Sequence, residues 1–86
     1  MRVLIPSPLL SYTKSATVEA AGATLDAVLR DLDRQFPGLR VRIVDEHDRV
    51  RRHIKVFVNR DQADDDLGRP LAADDEVMIV AALSGG

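Results

Sequence analysis

Eighty-six residues make one domain with a compact core, since a chain of this size buries only about 60–65% of its unfolded surface. A composition of 45% hydrophobic and 30% charged residues is that of a folded globular chain, and a net charge of −2 argues against nucleic acid as a partner. There is no cysteine, which excludes disulfides, thiolate metal sites and a cysteine nucleophile together.

Val3, Leu4 and Ile5 form a short apolar run suited to a buried strand. Pro6 and Pro8 end regular pairing there, because proline brings no N–H to a ladder. Residues 1–10 contain one Arg and two Pro and lack the apolar core of a signal peptide, and no run approaches a membrane span. A cytoplasmic protein with no membrane partner is therefore expected. Ser15 to Ala20 reads as a second strand, with Ser7 to Lys14 as a hairpin-sized loop before it. Thr24 is a helix N-cap, and Asp26 places negative charge in the first turn, where the helix dipole favours it. Leu25, Val28, Leu29, Leu32 and Phe36 then recur at helical spacing as one apolar stripe, and Pro37-Gly38 ends the helix.

Leu39 to Arg52 mixes Val41, Ile43, Val44 and Val50 with many charges and is expected to be irregular, with a short strand or turn. Lys55 to Asn59 reads as a strand beginning at Ile54, and a short edge strand is expected near Gln62-Ala63. Gly68-Arg69-Pro70 is a loop and Asp74-Asp75 a turn; Val77 to Ala82 is a continuous apolar strand of the kind found inside a sheet. A hairpin, a packing helix and further strands predict an α+β roll, with the first and last strands adjacent and parallel in the sheet centre.

The chain ends in Ser84-Gly85-Gly86. Without Cβ atoms, two glycines make a slim, extended tail that can thread a narrow channel, and Gly86 presents an α-carboxylate with nothing bulky around it. The expected organisation is thus a folded domain over residues 1–82 and a flexible tail over 83–86. Strand alternation also divides the sheet: if Val56, Val58, Val77 and Ile79 face the helix, then Phe57, Met78 and Val80 face the other way, joined by Leu4. One helix covers one face, so these residues are candidates for a partner-docking patch, together with Leu83 of the tail.

This element order, with Val56-Phe57-Val58-Asn59 closing the middle strand, Leu71-Ala72-Ala73-Asp74-Asp75-Glu76-Val77 approaching the last strand, and terminal Gly85-Gly86, resembles the sulfur-carrier branch of the ubiquitin-like β-grasp proteins, the MoaD/ThiS family. The chain departs from the family pattern at Ala81-Ala82-Leu83, where many relatives carry proline, and at Asp74-Asp75, where a glycine usually separates the acids. The resemblance implies a mixed four- to five-stranded sheet on one main helix, and a carrier rather than an enzyme. It implies an adenylating partner of the ubiquitin-activating type that uses ATP and magnesium on the Gly86 carboxylate, a sulfur-transfer protein, and a thiocarboxylate product. A molybdopterin-type or cysteine-type pathway fits the length, the former with a large synthase subunit. A ubiquitin-like modifier joined to lysines through Gly86 is the alternative, and a β-grasp binding module with an accidental tail is the third reading.

The remaining polar clusters read as solvated surface. Asp64-Asp65-Asp66 lacks the spacing of a calcium loop, and His47 and His53 have no cysteine or helical pairing to make a metal site. Arg49, Arg51 and Arg52 form a small basic cluster that reads as a solvated turn, with docking of an acidic partner or a phosphate as the alternative. There is no glycine-rich phosphate loop, so no nucleotide, cofactor or metal is expected on the chain itself.

Overall fold

The computed structural model describes residues 1–82. Five strands form one mixed sheet in the order β2-β1-β5-β3-β4. They are β1 (Arg2–Leu4), β2 (Thr17–Glu19), β3 (Ile54–Val58), β4 (Asp61–Gln62) and β5 (Glu76–Ala81). As the sequence leads one to expect, β1 and β5 are parallel and interior, with Leu4 opposite Met78. β3 runs antiparallel along the other side of β5, from Ile54 opposite Ala81 to Val58 opposite Val77.

The main helix is α2 (Leu25–Gln35). The Thr24 hydroxyl accepts from the Ala27 N–H at 3.2 Å, as an N-cap should. Leu25, Val28, Leu29 and Leu32 are fully buried against Val3, Val56, Val58, Val77 and Ile79 of the sheet. Phe36 lies just past the helix end, half-buried on the margin of this core. Gly22 lets the chain turn into α2: a Cβ there would stand 2.6 Å from the Val28 nitrogen.

Two segments differ from the sequence reading. Residues 7–14 are not a simple hairpin loop but a 3₁₀ turn (Ser7–Leu9) followed by the short helix α1 (Leu10–Thr13). Proline at the start of that turn costs nothing, because the first N–H groups of a helix have no internal acceptor. The segment 39–52 opens with a second short helix, α3 (Leu39–Ile43), and closes with a single Val44–Val50 bridge. Leu39 and Ile43, four apart, are both fully buried, so tertiary burial holds a turn of helix that a run rich in arginine and valine would not hold alone. The Arg40 guanidinium reaches Asp26 at 2.7 Å and ties α3 to the first turn of α2. Burial pushes the Asp26 carboxyl up, but hydrogen bonds from Arg30 and Arg40 outweigh it and hold the group below its usual range.

Candidate functional site

Three features define the working end of the molecule. The first is the corner that fixes β5. Asn59 ends β3 with φ 49°, a left-handed conformation that asparagine tolerates better than most residues. Its Nδ2 donates to Asp75 Oδ1 at 2.8 Å, and its Oδ1 accepts the Glu76 N–H at 2.9 Å. Asp75 Oδ2 accepts the Ala72 N–H at 2.8 Å. The N–H of Ala72 and the side chain of Asn59 together hold the Asp75 carboxyl below its ordinary value. Asn59 and the Asp75-Glu76 pair, which lie far apart in sequence, therefore form one hydrogen-bonded turn. They work as a structural clamp at the start of β5.

The second feature is the open sheet face. Val56, Val58, Val77 and Ile79 are buried toward α2, and alternation turns Phe57, Met78 and Val80 to the other side. Phe57 pairs across from Met78, and both are half-buried. Val80 is 37% exposed. Met78 and Val80 line a shallow groove with Leu4, Pro6 and Pro8; Phe57 stands beside this groove rather than in it.

The third feature is the exit of β5. β3 starts where β5 ends, and the Ala82 N–H donates to the His53 carbonyl at 2.7 Å. The last described residue is thus pinned at the sheet rim. A cleft at this rim is lined by Leu9, Tyr12, Arg42, His53, Ala81 and Ala82. Leu83, Ser84, Gly85 and Gly86, the proposed tail and its reactive carboxylate, lie outside the described residues.

The other polar clusters disperse. Arg49 lines a cleft with Asp48, Asp64 and Asp65, away from Arg51, which instead shares a groove with Val41, Arg42 and His53. His47 sits beside Glu46 and does not line that groove. Among the described residues no three side chains come together as a metal site, and no helix is long and apolar enough to cross a membrane. The sequence reading missed Tyr12, Val41 and Arg42 as residues of the exit rim, because α1 and α3 were not foreseen. The Leu39–Ile43 spacing after Gly38 is the signal that points to α3.

A five-stranded mixed sheet wrapped on one main helix, with parallel first and last strands, is the ubiquitin-like β-grasp fold. The model of the ThiS family matches residues 3–86, and the chain belongs to that family. The chain is 32% identical to the sulfur carrier protein CysO of Mycobacterium tuberculosis over 89 aligned positions, covering 98% of this chain and 96% of that protein. In structure it is similar to CysO from the Amycolatopsis orientalis BexX/CysO complex, with a TM-score of 0.89, 31% identity and coverage of 99% and 98% of the two chains. It is also similar to the small archaeal modifier protein SAMP1 of Haloferax volcanii, with a TM-score of 0.81, 30% identity and coverage of 100% and 98%.

Proposed function

We propose that this chain is a sulfur carrier of the cysteine type, a co-substrate rather than a catalyst, with residues 1–82 as the folded handle and 83–86 as the reactive tail. The Gly86 carboxylate attacks the α-phosphorus of ATP, held with magnesium by a ubiquitin-activating-type partner, and pyrophosphate leaves. Hydrosulfide released by a sulfur-transfer protein then attacks the acyl carbon, AMP leaves, and the S–H proton is lost to solvent. The product is a thiocarboxylate. Adenylation is needed because a carboxylate is a poor electrophile, and the absence of cysteine means that the sulfur must come from outside the chain. The observation that carries this reading is the pinned exit of β5 at Ala82 in a chain whose family match runs through Gly85-Gly86. Four extended residues reach about 13 Å beyond that point, enough to enter an active site while the globule stays outside.

Similarity to CysO favours the cysteine type over the molybdopterin type, and with it a binary encounter with the activating enzyme over a permanent synthase subunit. The likeness to SAMP1 supports a second reading, a modifier joined to lysines through Gly86. Both share the activation step. The test is ATP–pyrophosphate exchange by the cognate adenylating enzyme. Exchange is expected with the full chain, none with a chain ending at Ser84 and none with the carrier alone, while the melting temperature of the truncated chain stays unchanged. Undiminished exchange by the truncated chain contradicts the proposal. Isopeptide adducts on other proteins, without a free thiocarboxylate, would select the modifier reading.

A further inference from the structure

We infer that the rim around the exit of β5 is a cationic docking collar for an acidic protein surface bordering the channel of the activating partner. This rests on the carrier reading above and adds the chemistry of the partner's surface. Arg42 and Arg51 come from segments nine residues apart, and with Val41 and His53 they line one groove at the sheet rim. Their guanidiniums are held by neutral acceptors, with no carboxylate of the described residues in ion-pair contact, although Asp45 lies close enough to feel the charge of Arg51. Arg42 Nε donates to the Tyr12 hydroxyl at 2.7 Å, and its guanidinium lies 6.0 Å from the centre of the Tyr12 ring. Arg51 Nε donates to the Val41 carbonyl at 2.7 Å. Neither arginine, nor the exposed Arg52 beside them, forms an ion pair with a carboxylate of the described residues. Arg2, Arg30, Arg34, Arg40 and Arg69 are each paired with an acid; Arg49 and Arg60, outside this groove, also lack an ion pair among the described residues, so it is the shared groove that sets Arg42 and Arg51 apart.

A second, independent observation marks the same place. Val41 is 55% exposed, the most exposed large hydrophobic side chain of the described residues, and it lines this groove. An exposed apolar residue sharing a groove with two fixed arginines has the composition of an interface centre, where arginine is enriched. Geometry supplies the partner. Arg42 and His53 line the same cleft as Ala81 and Ala82, so an active site that takes in the tail brings its mouth against the collar. A neutral or basic surface covering two guanidiniums that have no ion-pair contact would strip their water without return, whereas carboxylates on the mouth satisfy them and steer the tail inward.

The test is the association rate with the adenylating enzyme that supports exchange with the wild-type chain, measured by stopped flow at low and at high salt. For wild type the rate should fall as salt rises. Arg42→Glu with Arg51→Glu should slow association about tenfold at low salt, and the gap should close at high salt, the mark of long-range attraction. Because both side chains make local hydrogen bonds, Arg52→Glu is the companion variant; its side chain is exposed, and it should slow association in the same salt-dependent way with an unchanged melt. Asp65→Lys, on the other cleft, should leave the rate within twofold. Rates that are independent of salt, or equal for wild type and all three arginine reversals, overturn the collar while exchange by wild type leaves the carrier reading standing. Absence of exchange with wild type removes both.

Discussion

At the scale of single residues, Asn59 and Gly22 show how local chemistry fixes the turns that lead into β5 and α2. Asn59 supplies two side-chain hydrogen bonds and a left-handed backbone that alanine tolerates poorly. Asn59→Ala should cost about 1–2 kcal/mol, readable in a denaturant melt. It should also release the Asp75 carboxyl toward its ordinary value. The folded-state value of Asp75 is depressed, so its contribution to stability is present above the unfolded value, near 3.9, and is lost as the pH falls through the lower folded value. A carboxyl-carbon NMR titration should place the Asp75 midpoint below that of an unfolded aspartate in wild type and move it upward in Asn59→Ala. A midpoint unchanged by the substitution would mean that Asn59 is not the clamp. Gly22→Ala forces a Cβ into backbone atoms of Ala27 and Val28 that cannot yield as a side chain can, so a loss of about 1–3 kcal/mol is expected. A melt equal to wild type would show that the loop before α2 moves aside freely.

At the scale of elements, the sheet has one covered face and one open face, and Phe57→Ala separates their energetics. Phe57 is half-buried and lies outside the core that packs on α2. Its truncation should cost about 1–3 kcal/mol of partner affinity, roughly ten- to hundredfold, with a smaller effect on folding. An unfolded Phe57→Ala chain would show that the open face is instead part of the stabilising core. How far these elements could be read in advance follows from where their stabilisation lies. α2 was legible because its stripe, cap and stop are all local, and β3 and β5 were legible because their apolar runs are continuous. α1 and α3 were not, because helices of four and five residues have no propensity of their own to speak of and exist through the burial of Thr13, Leu39 and Ile43 by distant partners. The same limit applied to the site. The open face follows from alternation along a strand, whereas the grouping of Arg42 with Arg51 and the separation of Arg49 depend on how the segment 39–52 folds back on itself.

At the scale of the whole molecule, the fold holds its last strand at both ends. β5 runs through the sheet with a neighbour on each side, its start clamped by Asn59 and its end pinned to the His53 carbonyl. A cationic collar lies on the α3 side of the exit, and the apolar groove of Met78 and Val80 lies on the open face. Under the proposed function, these two surfaces flank the point where the last described residue leaves the sheet. The central claim is that chemistry happens at one atom of Gly86. Intact-mass and fragment mass spectrometry of the chain, after incubation with the adenylating enzyme, magnesium, ATP and a sulfur donor, tests it most directly. The account predicts a mass gain equal to one sulfur replacing one oxygen, confined to the C-terminal fragment and dependent on ATP. Sulfur located on any other residue, or gained without ATP, would contradict it.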